Sequence, residues 1–272
     1  IDDKALYLAI LRQNPGAPRW RDLRDLLEAT NRVEALLEIG SSSGLDGFSE
    51  VPLKAARPAH YQVREALAEL KLLGERGSRL VTTICDDYPA NLRTTFDRPP
   101  FLFCRGQVTQ NPKLVAVVGS REASPEGLEY ARRLSIHLVE NGYGVVSGLA
   151  AGGDTAAHIA TLEAGGETMA IIGTGINRHY PKPNRELQER IASEGAVLSQ
   201  FMPDDPPRQQ NFPMRNLVMS GTALATVVVE ATEKSGTKSQ AKGALKHGRL
   251  VFFTEFALAK AEWARKMVGQ PG

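Results

Sequence analysis

The sequence is poor in several features that would have fixed its class at once. Only two cysteines, Cys85 and Cys104, occur in 272 residues. Nineteen positions apart, they match neither a zinc-ligand pattern nor a disulfide framework. No metal is therefore expected, and a reducing cytoplasm is the expected setting. Long apolar runs are missing: uncharged stretches such as Asn216–Val229 stop at 14 residues. A spanning helix needs ~20, so no membrane partner is expected. No leader peptide opens the chain, which begins at Ile1, so a trimmed boundary is expected. An excess of one charge is missing too. The 33 Lys and Arg face 31 Asp and Glu, a net charge of +2, so any polyanion site must come from local clustering. What is present, 42% hydrophobic and 24% charged residues, excludes a disordered chain, a collagen-like chain and a disulfide mini-protein. The length suggests two domains.

Residues 1–76 read as a small helical (SAM-like) accessory domain. Ala5–Leu11 is rich in apolar residues, and Leu23, Leu26 and Leu27, then Val33, Leu36 and Leu37, recur at helical spacing. Gly40–Gly47 is a loop of turn formers. A further helix is expected from His60 to Leu73, with Val63, Leu67, Leu70 and Leu73 on one side. From Arg79 the pattern changes. Leu80–Ile84 and Phe101–Cys104 read as strands. Short apolar runs follow at 114–118, 144–146, 168–172, 196–198, 225–229 and 250–253. Helical stretches alternate with them near 125–140, 154–164, 184–194, 212–220 and 238–247. Continuous apolar strands alternating with helices imply a parallel sheet covered on both faces. The expected fold is α/β, a Rossmann-like doubly wound, mostly parallel sheet over residues 77–272.

In such sheets ligands bind beyond the carboxyl ends of the strands. Four of these ends are rich in Gly, Ser or Thr: Gly119-Ser120-Arg121, Ser147-Gly148, Gly173-Thr-Gly175, and Lys234-Ser235-Gly236 after Glu230. Backbone N–H groups there can approach an anion, and each loop opens a helix with a positive N-terminus. With Arg121, Arg178 and Lys234 beside them, the convergence favours a phosphate-bearing ligand. Neither a Gly-x-Gly-x-x-Gly fingerprint nor a Walker A motif is present, so no nucleotide cofactor is expected. Gln209–Asn216 joins Phe212, a possible base-stacking platform or helix-start core residue, to Arg208 and Arg215. Lys238, Lys242 and Lys246 recur every fourth residue, on one helix face that either meets a polyanion or is simply solvated. Asp154 and His158, at i,i+4, could face one site, although Asp154 also suits a helix cap. Glu230 could act as acid or base, or receive Arg121 or a ribose hydroxyl.

From residue 79 to 253 the chain resembles the DprA/Smf family of DNA-processing proteins of natural transformation. The resemblance lies in Tyr88–Leu92 with Pro99–Phe103, Val117–Arg121, Val146–Ala150, Gly153-Asp154 with Ala157-His158, and Gly173–Gly175 with Tyr180-Pro181 and Asn184-Arg185. Asn211–Asn216, Val228–Glu230, Lys234–Gly236 and His247–Arg249 complete it. It implies a dimeric, single-stranded DNA-binding protein without catalytic turnover that protects incoming DNA and loads the RecA recombinase. Carried over by motif, the DNA-binding positions are Gly119, Ser120, Arg121, Ser147, Gly148, Asn211, Phe212, Arg215, Asn216 and Gly236. Lys234, Ser235, Lys238 and Lys242 join them on charge and position. Departures from the family pattern are Ala151, Gly153, Gly236–Gln240 and the stretch after Phe253, where Glu255–Met267 is expected to form one helix. Two other readings remain. One is a nucleotide-binding or nucleotide-hydrolysing enzyme similar to LOG-type phosphoribohydrolases, of whose Pro-Gly-Gly-x-Gly-Thr motif Val229–Thr237 is a distant echo. The other is a protein-binding paralogue using the last helix.

Overall fold

The computed structural model describes residues 2–14, 17–37 and 57–269, so the expected Gly40–Gly47 loop lies outside the described residues. The chain divides into two compact units, Ile1–Tyr88 with Pro99–Leu102, and Pro89–Arg98 with Phe103–Gly272.

In the first unit, α1 (Asp3–Gln13) starts where the Asp2 side chain accepts from the Ala5 N–H at 3.0 Å. Its whole middle, Ala5–Leu11, is buried, as expected of a helix that is apolar all round. Both α2 (Ala17–Thr30) and the 3-10 turn Glu34–Leu37 follow it, and Leu23, Leu27 and Leu36 are buried as their spacing predicts. Packed on α1 is α3 (His60–Glu75), with Gln13 donating to Gln62 at 3.0 Å. Next, β1 runs over Ser78–Thr82 and ends two residues before the expected limit, where the Cys85 N–H turns back to the Thr82 carbonyl at 2.9 Å.

The second unit holds the doubly wound sheet that the alternating pattern predicts, although residues 77–88 and 99–102 of the expected 77–272 domain belong to the first unit. Its strands are β2 (Phe101–Gly106, whose first two residues belong to the first unit), β3 (Leu114–Gly119), β4 (Gly144–Ser147), β5 (Thr168–Ile171), β6 (Ala196–Ser199), β7 (Ala225–Glu230) and β8 (Leu250–Phe253). They lie in the order β2-β6-β5-β4-β3-β7-β8. All neighbours are parallel except β2 and β6. The helices are α4 (Ala90–Arg93), α5 (Pro125–Glu140), α6 (Gly153–Glu163), α7 (Arg185–Glu194), α8 (Asn211–Thr222) and α9 (Thr237–Lys246). Alternation decides which face each covers. Val115 and Val117 of β3 pack with Ala131 of α5 and Ala157 of α6. On the other face Val118 meets the space beside Met219 of α8 and Gln240 of α9.

One expected element is wrong. Glu255–Met267 is two short helices, α10 (Glu255–Lys260) and α11 (Glu262–Met267), broken at Ala261, which is extended at φ −126° and ψ 109°. The break turns Trp263 inward: its indole N–H donates to the Thr232 carbonyl at 3.0 Å and its ring meets Phe253 edge-on at 5.9 Å. Among the described residues no helix is long and apolar enough to cross a membrane.

Candidate nucleic-acid interface

Strand order places the switch point between β3 and β7, because the chain leaves β3 toward β4 on one side and returns to β7 on the other. Ligands of open α/β sheets lie at such points. A cleft of about 400 Å³ opens there. It is lined by Gly119, Ser120 and Arg121 after β3, by Phe212, Arg215 and Asn216 on α8, and by Lys234, Ser235 and Gly236 before α9. A smaller cavity of about 50 Å³ adjoins it, sharing Arg121, Phe212 and Arg215 and adding Gly148, Gly173 and Tyr180. Nine of the fourteen expected positions thus line one cleft, and Gly148 lines its annex.

The remaining positions stand apart from both cavities. Ser147 is fully buried, with its hydroxyl donating to the Val117 carbonyl at 2.7 Å, so it ties β4 to β3. Asn211 donates to the Gly173 carbonyl at 3.1 Å and anchors the start of α8. Lys238 and Lys242 lie on α9 outside the lining. Lys246, the third member of the lysine row, is paired with Asp97 at 3.1 Å and lies over the Phe96 ring at 4.6 Å.

The aromatic wall is built closely. The Phe212 ring lies against Gly173, where a Cβ would sit 2.8 Å from Cδ1. It meets the Tyr180 ring at 5.8 Å, tilted by 40°. The exposed Arg121 guanidinium lies over the Phe212 ring at 5.4 Å, a cation–π distance. Arg215 plays a different part. It is buried, and its Nη1 donates to the Ile171 carbonyl at 2.6 Å and to the Gly148 carbonyl, fastening the ends of β5 and β4. Burial holds its guanidinium below the ordinary arginine range, against the pull of Asp154.

In the loops after β3 and β4, amides that their composition suggests are free are already taken. The Gly119 N–H donates to Asp154 Oδ1 at 3.3 Å, and the Gly148 N–H to Asp154 Oδ2 at 3.1 Å. The Ser120 N–H is taken by the Glu230 carbonyl at 2.8 Å. Leu149, buried yet left-handed at φ 57°, is held there by Asn184 donating to its carbonyl at 3.0 Å. Such a conformation is unfavourable for a branched side chain and persists only where its surroundings fix it. Gly152 has φ 78°, and a Cβ there would meet the Ser120 carbonyl oxygen at 2.2 Å. Only glycine lets these two loops touch.

Two sequence candidates fall outside the cleft. His158 is fully buried on α6 and meets the Thr168 hydroxyl at 2.7 Å. Burial pushes its pKa down to about 3, and it lines neither cavity, whereas Asp154 lines the cleft, so the two do not share a site. Glu230 is buried, accepting from the Ser124 hydroxyl at 2.7 Å and from Lys260 Nζ at 2.6 Å. Burial would raise its pKa, but Lys260 and Ser124 hold it below the ordinary range. Gln240 and Tyr180 are lining residues that the reading did not single out as site residues. Tyr180 had a signal in the Tyr-Pro dipeptide; Gln240 had none. Among the described residues no group of His, Cys, Asp and Glu could hold a metal ion.

Fold and cleft together define a Rossmann-like protein whose switch-point cleft is lined by Arg121, Arg215, Lys234 and one aromatic ring, with Glu122 and the buried Asp154 also in the lining. The chain belongs to the family of DNA recombination-mediator protein A, whose model matches residues 79–266. It is 42% identical over 173 residues to DNA processing protein DprA of Streptococcus pneumoniae, covering 62% of this chain and 61% of that protein. Protein Smf of Synechocystis is 37% identical over 183 residues, covering 65% and 46%. The chain therefore spans about three fifths of one relative and about half of the other. An X-ray structure of the Streptococcus pneumoniae DprA superposes with a TM-score of 0.70 at 31% identity, covering 92% of this chain and 86% of that one. The Helicobacter pylori DprA, whose structure is described for its single-stranded DNA binding mode, superposes with a TM-score of 0.63 at 26% identity, covering 70% and 86%.

Proposed function

We propose that this chain binds single-stranded DNA in the switch-point cleft, without catalytic turnover. It protects incoming strands during natural transformation and delivers them to the RecA recombinase, acting as a cytoplasmic homodimer. The observation that carries the reading is the exposed Arg121 guanidinium over the Phe212 ring, where cleft and annex meet. A cation over a half-buried aromatic ring suits a strand whose phosphates and unstacked bases alternate, a base either displacing Arg121 from the ring or stacking on its guanidinium. Lys234 adds a second exposed cation to the same lining. Membership of the recombination-mediator family and the Helicobacter pylori relative support it further. The test is fluorescence anisotropy of a labelled oligo-dT, with a matched duplex in parallel. Binding should favour the single strand, fall with salt and be lost in Arg121→Ala. Phe212→Ala should weaken it by about 1–3 kcal/mol. Unchanged affinity in both variants would place the strand elsewhere.

A further inference from the structure

The loops after β3 and β4 converge on one side chain. Asp154, in the first turn of α6, is 4% exposed. Its Oδ1 accepts from the Gly119 N–H at 3.3 Å; its Oδ2 accepts from the Gly148 N–H at 3.1 Å and the Ala150 N–H at 3.4 Å. Three backbone donors from two strand ends thus point at one carboxylate beside the N-terminus of α6; burial raises its pKa, and the nearby Arg215 charge and these three amides pull the other way. Backbone amides at strand ends are also what Rossmann-type sheets offer a ligand's phosphate, there from one strand-to-helix turn and its helix, here from two strand ends.

We infer that Asp154 is a built-in substitute for a phosphate: it occupies the anion position of the glycine loops, excludes a nucleotide phosphate from it and keeps the cleft floor shaped without ligand. The inference deepens the single-strand reading, because it leaves a strand's phosphates to the exposed side chains of Arg121 and Lys234. It also gives the missing Gly-x-Gly-x-x-Gly fingerprint a physical counterpart. The anion that such a loop would cradle belongs to the protein itself. Gly119 and Gly153 serve the same arrangement, since a Cβ on Gly153 would lie 2.8 Å from the Gly119 Cα. Asp154 is a positioning and specificity residue here, acting through the loops it holds.

The test is chemical rescue. Asp154→Ala empties the position, so its Tm should fall. Inorganic phosphate at several times its Kd should then raise that Tm by about 2–4 °C. The wild type in the same phosphate series sets the general stabilisation that this anion gives any folded protein, and the variant's gain is read above it. A purely structural loss would respond to phosphate only as much as the wild type does. Asp154→Ser, which is smaller and keeps a hydroxyl at the helix start, guards against a variant that does not fold; it too should gain a phosphate response above that of the wild type. Equal phosphate responses of wild type and the folded variants would overturn the inference. The readout uses no DNA, so failure of the Arg121 binding test leaves it standing, and its own failure leaves that test untouched.

Discussion

At the scale of single residues, the cleft is organised by what glycine omits. Gly148 lies under the Arg215 guanidinium, and a Cβ there would sit 2.2 Å from Nη1. Arg215 cannot withdraw without leaving the Gly148 and Ile171 carbonyls unpaired in a buried setting. Gly148→Ala should therefore destabilise the protein by about 1–3 kcal/mol, the usual range for overpacking. Gly236 is the control. A Cβ there meets nothing within 4 Å, and its φ of −63° is helical. Gly236→Ala should lie within about 0.5 kcal/mol of wild type. Urea unfolding of the two variants checks both. A loss at Gly148 no larger than at Gly236 would mean that Arg215 repacks freely.

At the scale of elements, one ion-pair network joins β2, α7 and the loop before it. Arg105 makes a two-pronged contact with Glu189 at 2.8 and 2.7 Å, and His179 meets the same carboxylate at 2.7 Å. The Arg105 hydrogen bonds hold the Glu189 pKa down to about 2, from an ordinary 4.5. A carboxylate with a lowered folded pKa contributes stability above its unfolded pKa and loses it as pH falls toward the folded one. The contribution should be whole above about pH 4.5 and vanish by about pH 2. Glu189 is 45% exposed, so solvent and salt keep the effect modest. In Glu189→Gln the Tm should fall less steeply over that window than in wild type; parallel curves would remove the pair from the acid response. Elements of this kind were mostly legible in the sequence. The apolar runs of β3 to β8 and the amphipathic stretches of α5 to α9 carry their own periodicity, and their positions follow from it. The break at Ala261 was not legible, because Glu255–Met267 keeps helical spacing throughout. At the break Trp263 bonds to Thr232, 31 residues away in sequence, a contact that spacing does not show. Asp154 and Arg215 were ambiguous for the same reason. Their residue types suit a cap and a phosphate site, but their partners are carbonyls and amides of distant strand ends.

At the scale of the whole molecule, charge is nearly balanced, 33 positive against 31 negative side chains. Such a protein has little long-range attraction for a polyanion, so the salt dependence of binding should report the contacts in the cleft. The structure narrows which cations count. Of the basic residues considered for the site, Arg215 is occupied by backbone carbonyls, Lys246 by Asp97 and Arg178 by the Asp204 carbonyl, and Arg208 lines neither cavity. Arg121 and Lys234 are exposed and line the cleft. Each single-strand phosphate neutralised contributes about −0.7 to the slope of log K against log salt concentration. Two such contacts predict a slope of about −1.4, and Arg121→Ala or Lys234→Ala should each bring it toward zero by about 0.7. Lys246→Ala should leave the slope unchanged, since its ammonium already faces Asp97. Titrations of labelled oligo-dT at four or five salt concentrations decide the matter. A much steeper slope that survives loss of both Arg121 and Lys234 would move the strand to another face, where Lys238 and Lys242 of the α9 row would be next to test.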